Sequence, residues 1–463
     1  MALAIAVYSL SARAASNTTE HLPSCANQYR SLPGIALSCL TTIFLCIWVA
    51  LHLNVPEPVD TRGLGHLQRL RVWIISFTRC TVVPIFVTLV FPEWVLGMAI
   101  LQFRKATELA KKLRKLQSGK ADITRQHGFF ILMGGFHLFE RGQNLPSDKT
   151  GDNDREDARL LVKEPAVETG NRQHDQASKN QSIDIVEEMG RPAHPLDEFD
   201  VLRLIEAGKL RLPPSAELQD RCKSDALAKF LVIVQTLWFT AQCVAREASK
   251  LPLTELEVIT LGYTLLTIAM YLAWWDKPYR VTFPIRVYET LPERTKEQNW
   301  LMIKVGRWDM ALNYAAGVQG AYIELRSVKR VPMFHSGYMK NDGLNDLVGL
   351  ITTISVGTLF GAVHFLAWSS PFPSNRMQLL WRFATIVMTA VPPALGMVAV
   401  FAALAEALVS ESLGDLIGYT LFLLPPLYFI GRGITIVLAL MTLATLPLDA
   451  YRDVAWSDFF PHI

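Results

Sequence analysis

Two carboxylates and an arginine flank a short turn between apolar runs, and their types suit acid–base chemistry. Glu255 and Glu257 begin one run, and Arg246 ends the run before it. Paired carboxylates can serve as general acid and general base. The structural alternative is a capping box, because Thr254 is a favourable N-cap and Glu257 follows three residues later. A third interpretation pairs Arg246 with Glu255 or Glu257, as a buried polar lock or a substrate contact.

The second of these runs ends in Trp274-Trp275-Asp276-Lys277-Pro278, which joins two indoles to one charge of each sign. The indoles could bind an amphiphile, and Asp276 could act as an acid or a base. The same pattern is typical of an interfacial anchor, in which indoles lie at headgroup depth and a lysine side chain extends outward. We favour the anchor.

His364 is an ionisable residue inside an uninterrupted apolar run, one turn after Gly357-x-x-x-Gly361. Small residues at that spacing let two helices approach closely, so we expect the glycines to serve packing. A histidine at such a depth is a candidate acid–base group. We prefer the simpler interpretation, a hydrogen bond to a neighbouring helix.

Several classes of site are excluded by the remaining composition. The six cysteines are dispersed without a C-x-x-C pair, and neither H-E-x-x-H nor a Gly-rich phosphate loop occurs. We therefore predict no metal site and no cofactor. A net charge of +3 is nearly balanced, which argues against nucleic acid as a partner. Oligomeric state has no signal in the sequence.

Long apolar runs determine the solvent in which most of the chain lies. The clearest, Ala36 to Leu53, carries no formal charge and is close to the roughly 20 residues that cross a hydrocarbon core. Further runs cover 226–245, 257–275, 347–368, 383–405 and 416–445. With a hydrophobic share of 51%, they predict an all-α fold: a polytopic helical membrane bundle of about six or seven spans with cytosolic loops.

The run from Thr81 to Phe103 is unusual because Pro84 and Pro92 interrupt it and Glu93 lies within it. An unpaired carboxylate does not suit a clean crossing, so a kinked, re-entrant or in-plane segment is expected. If the run returns to its starting side, about six crossings remain and the N-terminus is lumenal. If it crosses, about seven spans result and the N-terminus is cytosolic. We favour the first topology.

The N-terminus bears signals of export. Residues 1–15 resemble a signal peptide with an Ala12-Arg13-Ala14 end, although Lys and Arg are absent before the apolar stretch. Asn17 begins a glycosylation sequon, which is meaningful if this end is lumenal. In that orientation the basic connections Arg104–Lys120 and Lys277–Arg330 both face the cytosol.

Two connecting regions have their own character. Arg104–Lys120 is basic, with Leu109, Leu113 and Leu116 at helical spacing, and predicts either contact with anionic lipid or a solvated helix. Gln143–Pro195 is polar with few aromatics and predicts a largely disordered linker. We divide the chain into a signal peptide (1–15), a first span with the Pro-broken segment (16–104), a cytosolic basic helix and linker (105–225), a membrane hairpin (226–276), a cytosolic region (277–345), a three-span bundle (346–446) and a tail (447–463).

Several motifs resemble a large, mostly uncharacterised family of fungal multi-pass membrane proteins. They are HLNVP near the first span, Pro92-Glu93-Trp94, the LTELE…WWDKP block and the C-terminal PHI. The resemblance implies a fungal origin, placement in the endoplasmic reticulum or plasma membrane, and a long variable internal loop. Some members lie near natural-product genes. This chain departs from the pattern in its Gln143–Pro195 insert and in an extra apolar stretch from Arg79 to Val90.

Three functions remain open. The leading hypothesis is a non-enzymatic integral membrane protein that acts as a scaffold, sensor or conduit. The second is a membrane-embedded enzyme acting on a lipid-like intermediate of secondary metabolism. Its acid–base groups would be Glu255, Glu257, Asp276 and His364, and its substrate contacts Trp274, Trp275 and Arg246. A channel or transporter is the third, and it requires polar residues that converge along one path. If the candidate groups share one cavity, the last two hypotheses gain.

Overall fold

The chain folds mainly into helices. The computed structural model describes residues 29–58, 65–117, 122–140, 190–223, 226–291, 293, 324–338, 343–410, 412–413, 417 and 423–455. The predicted signal peptide, Asn17, most of the Gln143–Pro195 linker and the C-terminal PHI lie outside these residues.

The elements follow in chain order. The helices are α1 Leu32–Ala50, α2 His66–Phe77, α3 Val83–Val90, α4 Pro92–Leu116, α5 Arg125–Leu132, α6 Glu198–Glu206, α7 Ser215–Asp220, α8 Ala226–Ala248, α9 Glu255–Ala273, α10 Gly343–Val363, α11 Asn375–Leu408, α12 Leu424–Thr442 and α13 Leu448–Tyr451. A π-helical turn, Thr78–Val82, joins α2 to α3, and 3-10 turns follow at Leu325–Ser327, His364–Ala367 and Leu443–Thr445. The strands are β1 Phe136–Glu140, β2 Arg191–Pro195 and β3 Ile285–Val287.

Five of the described helical segments are long and apolar enough to cross a membrane. They are Leu32–Ala50, His66–Val90, Glu255–Ala273, Asn375–Ala402 and Leu424–Thr445. Their outer faces carry large apolar side chains in the open, such as Phe44, Leu272 and Phe401. An aqueous protein rarely exposes so continuous an apolar surface, whereas lipid suits it. The predicted helical membrane bundle is confirmed to this extent.

Helices α1, α8 and α9 fix the direction of the bundle. Near the start of α1, Arg30 contacts Glu257 at the start of α9, so these two helices run parallel. Helix α8 runs the other way, since Lys223 before its start contacts the Tyr279 carbonyl beyond the end of α9, whereas Arg246 near its end contacts the Pro252 carbonyl before the start of α9. We call the end at which Arg30, Glu255 and Ala450 meet the tail end. The opposite end, at which Asn54, Trp274 and Lys277 meet, is the cap end.

Residues 66–116 form a hairpin that reverses inside the bundle. The Leu89 carbonyl accepts the hydroxyl of Tyr263, midway along α9, and the helix breaks at Phe91, where Pro92 begins α4. Proline lacks the N–H that would continue the helix. Cys80 and Lys105, one on each arm, contact residues 330 and 338 at the cap end. The Pro-broken run therefore reverses at Phe91 and returns to the end from which it came.

The π-helical turn within this hairpin follows from Pro84. Its nitrogen cannot donate to the carbonyl four residues earlier, and the ladder shifts so that the Val83 N–H reaches the Thr78 carbonyl, five residues back. The apolar arm then continues unbroken to Val90. The proline is thus accommodated without a sharp kink.

A small three-stranded sheet lies in the cap, which we define as the described residues of 104–140, 190–223, 279–291 and 324–338. Its order is β2-β1-β3, with β1 antiparallel to β2 and parallel to β3. The all-α prediction omitted this sheet, and the predicted linker extended over β2. The strand Arg191-Pro192-Ala193-His194-Pro195 lies at a sheet edge, where proline removes no ladder hydrogen bond. Its prolines and polar flanks made it look unstructured.

The leucines of the basic segment pack against protein. Leu109 and Leu113 on α4 are fully buried, and α5 lies against this helix. Leu116, at the end, is partly exposed. Burial in the cap therefore accounts for the helical spacing of Leu109 and Leu113. The charged face with Lys111, Lys112 and Arg114 stays in the open.

Candidate functional site

The predicted site residues lie in three separate places. Arg246, Glu255 and Glu257 meet at the tail end. Trp274, Trp275 and Asp276 lie at the cap end. His364 belongs to a tight turn after α10, packed on α11. Within the described part of the chain, the polar contacts of these residues do not join the three places.

Glu257 has two structural partners at the start of α9. Its carboxylate accepts the backbone N–H and the hydroxyl of Thr254, at 2.9 and 3.0 Å, and the Thr254 hydroxyl accepts the N–H of Glu257 at 3.2 Å. This is the predicted capping box. The other carboxylate oxygen forms an ion pair with Arg30. The group thereby holds the start of α9 against the segment before α1.

Arg246 binds backbone carbonyls rather than a glutamate. Its guanidinium donates to the carbonyls of Pro252, Ala450 and Arg452 at 2.8, 3.2 and 2.7 Å. The expected pair with Glu255 or Glu257 is therefore replaced by contacts to the turn after α8 and to α13. Those carbonyls belong to a turn and a short helix, which leave them without backbone partners.

Glu255 lines an open cleft of about 270 Å³ between α9, α12 and Pro371. Its carboxylate accepts the hydroxyl of Thr442 at 2.9 Å. The side chain is almost fully buried, with 4% of the residue exposed. Of the predicted catalytic groups, it is the one for which a cleft is described.

The two indoles at the cap end point in different directions. Trp274 is buried and donates its Nε1–H to the Gln102 side chain at 2.8 Å, whereas Trp275 is 62% exposed. Asp276 forms an ion pair with Arg125 on α5 at 2.8 Å. Trp275 suits the anchor interpretation, but Trp274 does not. The two indoles do not line a common surface, because Trp274 is buried and Trp275 is exposed.

Lys277 is buried, contrary to the outward extension that we expected. Its ammonium donates to the side-chain oxygens of Asn54 and Gln102 at 2.9 and 3.1 Å and lies 4.9 Å from the centre of the Trp274 ring. Among the described residues it contacts no carboxylate. Burial lowers the pKa of Lys277 to about 7, because the charged form loses its hydration. We call Asn54, Gln102, Trp274 and Lys277 the lysine cluster.

His335 lies beside this cluster in the cap. Its backbone carbonyl accepts the Gln102 amide at 2.7 Å, and both of its buried ring nitrogens lack a hydrogen-bond partner. Burial, together with the nearby charge of Lys105, lowers the pKa of His335 to about 4. The ring is therefore neutral at physiological pH and packs as a largely apolar group against Tyr338.

His364 forms a hydrogen bond within its own segment. Its Nδ1 lies 2.9 Å from the Phe360 carbonyl, one turn earlier, and its carbonyl accepts the indole N–H of Trp381 at 3.3 Å. The predicted hydrogen bond from the ring to a neighbouring helix is therefore wrong for the described residues, because the ring bonds within its own segment and only the backbone carbonyl contacts α11. No other ionisable group is within bonding distance of the ring among the described residues.

A buried ion pair in the middle of the bundle escaped sequence reasoning as a pair. Arg432 on α12 donates to Glu93 at the start of α4 at 2.7 Å, and Tyr428 donates to the same oxygen at 2.7 Å. The other guanidinium nitrogen donates to the Tyr263 hydroxyl at 2.7 Å, and the Phe360 ring lies 4.6 Å from the guanidinium carbon. Each of the four polar side chains thus has a partner among the other three. We call Glu93, Tyr263, Tyr428 and Arg432 the central cluster.

The signal for the central cluster was present as two separate anomalies. Glu93 and Arg432 are opposite charges in separate apolar runs, and an isolated charge at such depth requires a partner. The opposite signs of these two charges were the available clue to their pairing. Their separation of 339 positions made the pairing invisible to local spacing.

The glycines before His364 serve packing, as predicted. A Cβ on Gly361 would lie 2.6 Å from the Thr389 nitrogen on α11. A Cβ on Gly357 would lie 3.0 Å from the ring of Pro392, which also belongs to α11. The two helices therefore approach at close to backbone contact.

Within the described residues, no group of three or more His, Cys, Asp or Glu side chains is placed to hold a metal ion.

A protein-family model matches residues 2–160 and 201–313 of this chain, which is more than half of it. It describes a family of unknown function, DUF8562. The chain belongs to this family. The match includes Glu93, Tyr263 and the whole lysine cluster, while Tyr428 and Arg432 lie beyond it. No curated protein and no solved structure matches the chain.

Proposed function

We propose that this member of DUF8562 is a multi-pass integral membrane protein of a fungal endoplasmic reticulum or plasma membrane that acts as a scaffold, sensor or conduit without catalysing a reaction. The main support is that most predicted acid–base groups are occupied by structural contacts. Glu257 bonds to Arg30 and Thr254, Asp276 to Arg125 and His364 to a carbonyl. An acid or base needs access to the proton that it transfers.

The enzyme hypothesis retains one supporting observation, the cleft lined by Glu255. A single carboxylate can act as an acid or a base. However, the cleft offers no second titratable side chain among its lining residues, which are Pro252, Leu253, Thr254, Glu255, Pro371, Thr442, Thr445, Leu446, Pro447 and Ala450. The two-group mechanism suggested by Glu255 and Glu257 therefore loses support, because Glu257 faces Arg30.

Gene deletion with complementation separates these functions. Deleting the gene in its own fungus and comparing small-molecule extracts tests the biosynthetic alternative. Any deletion phenotype is then complemented with wild type, Glu255→Gln or Asp276→Asn. Non-enzymatic action predicts an unchanged extract and full complementation by both variants at wild-type protein levels. A missing metabolite that wild type restores and Glu255→Gln does not would overturn the proposal.

The topology that accompanies this proposal places the tail end in the lumen. Tyr29 and Arg452 form an isolated β-bridge, so the segments near both termini meet at the tail end. The cap contains basic residues of both connections, including Lys105 and Arg330. Positive connections favour the cytosol. We expect Asn17 to be glycosylated, and glycosidase treatment should increase the mobility of wild type but not of Asn17→Gln. An unmodified Asn17 with a cytosolic N-terminal tag would contradict this orientation.

Anionic lipid is the proposed partner of the basic face of α4. Since the leucines Leu109 and Leu113 are buried in the cap, the attraction rests on exposed charge alone, which salt screens. The protein should melt at a higher temperature in nanodiscs that contain phosphatidylserine than in phosphatidylcholine alone. Replacing Lys111, Lys112, Arg114 and Lys115 by Gln should remove that difference, whereas an unchanged difference would exclude this face.

A further inference from the structure

We propose that the cleft at the tail end binds a small monovalent cation, of the size of sodium, through the Glu255 carboxylate. This proposal is independent of whether the protein is a scaffold, sensor or conduit. It rests on the charge of Glu255, on the oxygen atoms around it and on the shape of the cleft.

Glu255 is a buried carboxylate without a positive partner in the described part of the chain. The two nearby guanidinium groups bond to other acceptors: Arg30 to Glu257 and the Ala450 carbonyl, and Arg246 to three carbonyls, two of which belong to cleft-lining residues. An isolated ionised carboxylate is costly to bury, so the site favours either a proton or a bound cation. A hydrogen bond from Thr442 compensates only part of the lost hydration.

The lining supplies the ligands that an alkali cation prefers. Thr442 places its hydroxyl oxygen 2.9 Å from the Glu255 carboxylate, and Thr445 also lines the cleft, where α12 ends and a 3-10 turn continues it. Carbonyls at the C-terminal end of a helix carry partial negative charge and can coordinate sodium in membrane proteins. Hard cations take oxygen ligands. The cleft thus joins one full negative charge to several neutral oxygens.

The number of carboxylates in the cleft and the size of its enclosed space favour a small monovalent cation over a divalent or a substituted organic one. A divalent ion would be held by several carboxylates, whereas this cleft offers one. The enclosed part of the cleft has room for about one molecule of the size of water. Pro252, Pro371 and Pro447 stiffen its rim. A dehydrated sodium ion fits such a space, while an organic ammonium with substituents does not.

Sodium binding is tested by a comparison of salts at constant ionic strength. Purified full-length protein in neutral-lipid nanodiscs is melted in sodium chloride and in N-methylglucamine chloride. Because a ligand that binds the folded state raises its stability, sodium should raise the melting temperature in a saturable way. Glu255→Gln should remove the increase. The matched control is Glu247→Gln, which removes an exposed carboxylate near the same end and should retain the sodium-dependent increase in melting temperature.

Direct binding of radioactive sodium keeps the proposal testable if Glu255→Gln fails to fold. Wild type should retain sodium-22 that excess unlabelled sodium displaces, and Thr442→Val should weaken that binding by about five- to tenfold through loss of one oxygen ligand. Absence of displaceable binding would overturn the proposal. So would equal melting of wild type and Glu255→Gln in both salts, which indicates a protonated Glu255. Competition by ethanolamine without competition by sodium would overturn it too.

Discussion

At the scale of single residues, polar side chains inside this bundle are held by partners that come from distant parts of the sequence. The central cluster is the clearest case, because Glu93 and Arg432 are both nearly inaccessible and lie in separate apolar segments. Removing one member of a buried pair leaves an uncompensated charge. Removing both leaves none.

We expect Arg432→Met to lower the free energy of unfolding by about 3–5 kcal/mol, and Glu93→Gln to do so by a similar amount. The double variant should be less destabilised than the sum of the two. Unfolding in mixed micelles, followed by circular dichroism, measures these values. The control is Glu108→Gln, which removes an exposed ion pair with Lys112 and should change stability by less than about 1 kcal/mol. Additive losses in the double variant would refute a direct pairing.

The buried lysine predicts a dependence of stability on pH. The pKa of Lys277 is about 7 in the folded protein and 10.5 in its ordinary state, so the unfolded chain binds more protons between these values. Stability therefore rises as the pH increases from about 7 to about 10, and does not change through this group below pH 7. Lys277→Met should abolish that rise in stability, while Lys329→Met, at an exposed position, should leave the rise unchanged. Unfolding curves from pH 6 to 10 give the comparison, and an identical slope in Lys277→Met would contradict it.

Residue types indicated which groups were candidates, but contacts over long sequence separations decided what they do. The capping box of Thr254 and Glu257 was predictable because it is local. The partners of Arg246 and Lys277 were not, since carbonyls at 450 and 452 and the side chains of Asn54 and Gln102 become neighbours only in the folded bundle.

At the scale of elements, prolines and glycines set where helices turn and how closely they pack. Pro92 marks the reversal of the hairpin, and this feature was predictable because proline acts on its own backbone. The sheet of the cap was not, because β3 has three residues and pairs in parallel with a strand far away in sequence. Strand pairing of that kind has no local signature.

The contact between α10 and α11 predicts a strong response to one added methyl group. Gly361→Ala would place a Cβ against the backbone of α11 and should destabilise the protein by about 1–3 kcal/mol. Gly433→Ala, in α12, meets no atom within 4 Å and should be neutral or slightly stabilising because alanine favours helices. Thermal unfolding of both variants provides the measurement. Equal stability of the two would show that α10 and α11 pack less closely than described.

At the scale of the whole molecule, the hairpin directs both of its ends, residues 66 and 116, toward the same end of the bundle. Both of its arms leave toward the cap end, as the contacts of Cys80 and Lys105 show. The chain therefore enters and leaves the hairpin at the same end of the bundle. The general fold class was predictable from apolar run length, whereas this arrangement depended on seeing where the hairpin reverses.

Cysteine labelling from one side of sealed microsomes tests this arrangement. In a background with Cys25, Cys80 and Cys222 replaced by alanine, Arg69→Cys and Lys111→Cys should react with the same impermeant maleimide from the cytosol. Glu247→Cys should react only after the membrane is opened. If Arg69→Cys labels together with Glu247→Cys, helix 66–90 crosses the membrane and the hairpin is wrong.

The contacts of Arg246 with carbonyls at 450 and 452 also have a consequence for biosynthesis. More than two hundred further residues must be translated before this guanidinium meets those oxygens. Until then, a nascent chain carries a cation with incomplete bonding in its first hairpin, a feature that cellular surveillance of membrane insertion can detect. A premature stop before codon 450 would therefore send the whole product to degradation, even though nearly every apolar helix had already been made.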